Sequence, residues 1–158
     1  MMYDFSAKDV FLMAQQMEKN GANFYKTAAG NAQDADTEKL LLDLASMEEG
    51  HEKTFVAMRG ELTEQESTST VFDPEGEAIL YLKALADSRV FFEKEIDVSS
   101  QEQVYKAALG AEKDSIVFYL GMKDMIPEKG GKARIDSIIK EEMGHIEVLS
   151  RALIRLKQ

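Results

Sequence analysis

The chain has 158 residues, no cysteine, two prolines, ten glycines and a formal net charge of −10. The lack of cysteine excludes disulfides, thiolate zinc sites and iron–sulfur centres, and the acid excess argues against a nucleic-acid surface, which needs a basic face. No apolar run approaches the roughly 18 residues of a membrane span, and Met1 to Ser6 show no basic segment followed by an apolar one, so the expected location is the cytoplasm.

Ser6 with Asp9 has the form of a capping box and opens a first helix that runs to about Ala29, where Gly30-Asn31 supplies a stop. A second helix is expected from Asp34 or Asp36 to near Gly60. The polar stretch Glu61 to Thr70 starts a long crossover. Within it, Asp73-Pro74-Glu75 has the pattern of an N-cap, a first-turn proline and an acidic first turn. Glu77 to Ala86 then carries apolar residues at helical spacing, which predicts a short extra helix. Ser100 with Gln103 opens a third helix that ends before Pro127, with Gly130-Gly131 in the turn. The last helix is expected from about Lys132 to Leu156. The chain is therefore one all-α domain over 1–158: a hairpin at 6–60, a crossover at 61–99 and a second hairpin at 100–157. That is the topology of a ferritin-like four-helix bundle.

The two hairpins repeat each other at an offset of 94 residues. Val10 and Ala14 fall on Val104 and Ala108, Glu18-Lys19 on Glu112-Lys113, Phe24-Tyr25 on Phe118-Tyr119, and Glu48, Gly50 and His51 on Glu142, Gly144 and His145. Each half is too small to be stable alone, so the two must share a core.

Both histidines of the chain follow a glutamate by three residues, in Glu48-x-x-His51 and Glu142-x-x-His145. Glutamate fills 18 of 158 positions, which puts the chance of this coincidence at about 1%. A single such pair is most often a weak surface contact. Here the pairs sit in the apolar stripe itself. Leu41, Leu44, Glu48, His51, Phe55 and Met58 step by threes and fours, as do Ile135, Ile138, Glu142, His145, Leu149 and Ala152. Ionisable groups in such a seam are costly unless paired or bound to metal.

Glu18 and Glu112 lie on the apolar face of the first helix of each hairpin. A hairpin brings residues equidistant from its turn to one level. The midpoint of 18 and 48 is residue 33, that of 112 and 142 is Pro127, and both fall in expected turns. Each lone glutamate should therefore face the Glu-x-x-His of its own hairpin. The resulting set, Glu18, Glu48, His51, Glu112, Glu142 and His145, is the ligand pattern of di-iron and di-manganese bundles. Carboxylate and imidazole suit iron, with manganese as the alternative. Without metal, four converging carboxylates are expected to raise one another's pKa. The scattered methionines are expected mostly as core fillers.

The segments Glu18 to Tyr25, Glu48 to His51, Glu112 to Tyr119 and Glu142 to His145 resemble the rubrerythrin family of the ferritin-like superfamily. The resemblance implies a non-haem di-iron centre that reacts with peroxide or dioxygen. It also suggests that Tyr25 and Tyr119 reach the opposite hairpin and donate to Glu112 and Glu18, as outer donors to the ligands. Two departures from the family pattern stand out. The four-cysteine rubredoxin-like site is lacking, so electrons must come from an external donor. The position three after Glu112, usually a glutamate associated with peroxide reduction, is Ser115. The haem-ligating methionine of bacterioferritins is replaced by Glu49, so no haem is expected. The expected function is a di-iron oxidoreductase acting on a small-molecule oxidant, as a homodimer. Two alternatives stay open: a ferroxidase or iron-storage protein, and a non-enzymatic interaction bundle with a vestigial site.

Overall fold

The computed structural model describes residues 7–62, 80, 82, 96–124, 126 and 131–158. They form four long helices: α1 (Ala7–Gly30), α2 (Ala35–Gly60), α3 (Gln101–Lys123) and α4 (Gly131–Leu156). The expected helix ends hold within a residue or so for most elements. Gly131, expected in the turn, is instead the buried first residue of α4. A side chain there would collide with Ile126, so the close approach of the preceding segment requires glycine. Ser6 and the segment around Asp73-Pro74 lie outside the described residues. Of the crossover helix expected at 77–86, only Leu80 and Leu82 are described; both are helical.

Local chemistry sets the helix boundaries. Thr37 donates its backbone N–H to Asp34 at 2.8 Å and its hydroxyl to the same carboxylate, which caps α2. Asp36 and Glu38 in the first turn and Arg59 in the last complement the helix dipole. Ser100 accepts from the Gln103 N–H at 3.3 Å and caps α3. At the end of α1, Asn31 turns its side-chain amide back onto the Thr27 carbonyl at 2.9 Å.

Two apolar clusters fill the bundle. One joins Val10, Phe11 and Met17 of α1 with Phe55 and Met58 of α2, Phe118 and Met122 of α3, and Ile135 and Ile138 of α4. The other joins Phe24 and Ala28 with Leu41, Leu44, Val104, Ala108 and Leu149. Thus α1 and α4 run from the first cluster to the second, and α2 and α3 run the other way. Each hairpin is antiparallel, while α2 and α3 are parallel, which is why a crossover must separate them. Leu82 from that crossover is buried in the first cluster. Met17, Met58 and Met122 fill core space as expected, whereas Met47 and Met143 are exposed.

Gly50 and Gly144 sit in the interiors of α2 and α4, each one residue before a histidine. Nothing lies within 4 Å of where a Cβ would stand at either position. Glycine inside a helix costs about 1 kcal/mol relative to alanine. Gly50→Ala and Gly144→Ala should therefore each raise the melting temperature by about 2–4 °C for a chain of this size. A fall measured by thermal unfolding would contradict the open surroundings of these positions.

Candidate metal centre

The six expected site residues converge between the two apolar clusters. Glu18 comes from α1, Glu48 and His51 from α2, Glu112 from α3, and Glu142 and His145 from α4. All six are buried, none more than 5% exposed. The 3.6-residue period puts His51 and His145 one turn beyond their glutamates on the same inward face.

The donor atoms form two groups, each within 4.8 Å: Glu18, Glu48, His51 and Glu142, and Glu48, Glu112, Glu142 and His145. Glu48 and Glu142 belong to both. His51 Nδ1 lies 3.2 Å from Glu142, 3.5 Å from Glu48 and 3.6 Å from Glu18. His145 Nδ1 lies 3.0 Å from Glu142, 3.2 Å from Glu48 and 3.4 Å from Glu112. The two rings stack with centroids 5.8 Å apart. These contacts are close but misaligned: both Nδ1 atoms and both Glu142 oxygens are buried without a hydrogen-bond partner among the described residues. Buried polar atoms are almost always satisfied. Inward-facing donors left without protein partners fit a bound cation, so the residues present suit a two-metal site.

The expectation that all four carboxylates are pushed up needs correction. Burial, and the neighbouring Glu48, raise Glu18 well above its ordinary value; burial and the Glu142 charge do the same to Glu112. Glu48 and Glu142 go the other way. Burial would raise them too, but for Glu48 the contacts with Glu18, His145 and His51 outweigh it. For Glu142 the contacts with His145, His51 and Glu112 do so. The physical reason is that the carboxylate contacts hold both imidazoles towards their charged form. Burial disfavours their charge, but contacts with Glu112, Glu142 and Glu48 push His145 up to about 12, and contacts with Glu142, Glu18 and Glu48 also raise His51. The raised imidazoles thus face the lowered carboxylates of Glu48 and Glu142, beside the raised carboxyls of Glu18 and Glu112.

Two tyrosines brace the outer carboxylates across the bundle. Tyr25 of α1 donates to Glu112 of α3, and Tyr119 of α3 donates to Glu18 of α1. Both rings are fully buried. Burial, together with the Glu112 and Glu18 charges, raises the phenols well above their ordinary range and keeps them protonated donors. Ser115 is buried one turn after Glu112. Glu49 pairs with Lys26 of α1 at the surface.

One residue escaped the sequence reading. Glu141 of α4 places Oε2 2.6 Å from His51 Nε2. Its position precedes a motif glutamate and lies beside the apolar stripe, and only the broken repeat, with Met47 as its counterpart, signals it.

A four-helix bundle with a buried layer of four carboxylates and two imidazoles defines a ferritin-like protein. The chain belongs to the rubrerythrin family, whose model matches residues 9–153. In fold it is similar to the crystal structure of a candidate ferritin-like diiron-carboxylate protein from Thermotoga maritima. The TM-score is 0.71 and the identity 22%, over 97% of each chain. No curated protein matches the chain in sequence. Among the described residues, no helix is long and apolar enough to cross a membrane.

Proposed function

We propose that this chain is a non-haem di-iron oxidoreductase that acts on peroxide or dioxygen, works as a cytoplasmic homodimer and takes electrons from an external donor. The observation that carries the reading is the pair of four-residue groups sharing Glu48 and Glu142, with inward donors that have no hydrogen-bond partner among the described residues. Glu18 and His51 would complete one ion position, and Glu112 and His145 the other. Four carboxylates match the charge of two divalent ions, and the donor set suits iron or manganese. Two bound redox-active ions supply paired electrons to a small oxidant. The protein's part is to hold the carboxylates and imidazoles in place, to keep bulk water out with apolar layers on both sides, and to fix Glu18 and Glu112 through Tyr119 and Tyr25.

Ser115 favours a second reading, in which Fe(II) is itself the substrate and the chain is a ferroxidase. Anaerobic protein loaded with Fe(II) and mixed in stopped flow with peroxide or with dioxygen separates the two. Comparable oxidation rates by both oxidants are expected, and Ser115→Glu should move the preference towards peroxide. A wild-type preference for peroxide of many orders of magnitude would remove the role given to Ser115. Loaded protein that neither oxidant changes would end the oxidoreductase reading.

A further inference from the structure

The repeat makes the six ligand-type residues nearly symmetric, but the groups behind the two histidines differ. Behind His51, the Glu141 carboxylate accepts from Nε2 at 2.6 Å. A carboxylate only accepts, so Nε2 carries the proton, and in the neutral ring Nδ1 keeps its lone pair for the centre. Behind His145, the repeat offers Met47 of α2, the residue that corresponds to Glu141 of α4 at the 94-residue offset. His145 Nε2 is buried and has no hydrogen-bond partner among the described residues. His145 forms part of the wall of a surface pocket of about 360 Å³, together with Leu44, Met47, Val148 and the ion pair Lys39–Asp43. One histidine is thus anchored by a carboxylate, and the other lies beside an open, mostly apolar recess.

We propose that Glu141 is a positioning residue for His51 and that it makes the two metal positions unequal, the one beside His51 binding more tightly and the one beside His145 exchanging more readily. The inference rests on the two-metal reading above. An acceptor on the far nitrogen fixes the ring's tautomer and orientation and makes the coordinating nitrogen more basic; losing such a partner typically costs about 10–100-fold in metal affinity. Glu141 is 47% exposed, so solvent screens part of its effect, and about tenfold is expected.

The test is an anaerobic cobalt(II) titration of the full chain, followed by visible absorption and by competition with a chelator. Wild type should bind in two resolved steps. Glu141→Ala should weaken the tighter step about tenfold and leave the weaker one unchanged, while Glu141→Gln, which keeps an acceptor oxygen, should recover part of the loss. Met47→Glu, which offers His145 the same partner, should strengthen the weaker step and bring the two together. Two steps that ignore all three variants, or a Glu141→Ala variant that weakens both equally, would overturn the proposal and leave the two-metal reading standing. Wild-type protein that binds no cobalt would overturn both.

Discussion

Glu142→Ala is expected to lose both metal ions, whereas Glu112→Ala keeps about one ion per chain. The difference follows from sharing: Glu142 and Glu48 belong to both donor groups, Glu18 and Glu112 to one each. Removing Glu48 or Glu142 therefore strips a donor from both positions at once, and removing Glu142 also takes away the carboxylate nearest both Nδ1 atoms, at 3.2 Å for His51 and 3.0 Å for His145. The loss in affinity should exceed the ~10–100-fold typical of an outer partner. His51→Ala and His145→Ala should each behave like the single-group variants. Metal analysis after anaerobic loading reads the outcome, with circular dichroism confirming that the helices persist. Equal metal content in Glu142→Ala and Glu112→Ala would contradict the shared arrangement.

Binding of two divalent ions near neutral pH should release protons. The sources are the imidazoles of His51 and His145, raised against burial by their carboxylate contacts, and the carboxyls of Glu18 and Glu112, raised by burial. Such coupling of metal and protons is general. Calorimetric titration in buffers of different ionisation heat counts the protons, and a release of none would contradict the assignment.

The same groups set the pH dependence of stability in the metal-free protein. Glu18 and Glu112 are raised above 4.5, so their contribution is fully present below that pH and is lost as pH rises through their folded values. His51 and His145 are raised above 6.5, so theirs is lost on the alkaline side, for His145 up to about 12. Glu48 and Glu142 are lowered below 4.5, so theirs is present above that pH and lost as acid is added. Metal-free protein should therefore be most stable at mildly acidic pH and weaken towards neutrality. Metal-loaded protein should show the opposite slope, because its ligands must be deprotonated. The double variant Glu18→Gln, Glu112→Gln should flatten the metal-free decline just above 4.5. Identical slopes for the two forms in thermal unfolding would refute this account.

Much of this arrangement could be read from the sequence because it depends on periodicity alone. Glu48 and His51 occupy stripe positions between Leu44 and Phe55, and a helical stripe faces the core whatever its neighbours are. Hairpin arithmetic put Glu18 level with Glu48 because both are counted from the same turn. What periodicity cannot carry is contact between hairpins. Glu48 is in the second group only because α2 meets α4 across the bundle, and the direction of its pKa depends on that meeting. Glu141 was missed for a similar reason. It lies at the edge of the stripe, exposed by sequence logic, and acquires its role only when α4 brings it behind His51 of α2. Gly131 looked like turn chemistry, and only the approach of Ile126 shows that it is needed as the smallest residue at a helix start.

The most direct test of the central claim is the location of iron itself. Crystals of protein loaded anaerobically with Fe(II) and measured on both sides of the iron absorption edge should show two anomalous peaks. One should lie between Glu18, Glu48, His51 and Glu142, the other between Glu48, Glu112, Glu142 and His145. No peak within the bundle, or peaks bound only by surface carboxylates, would contradict a di-iron centre in this chain.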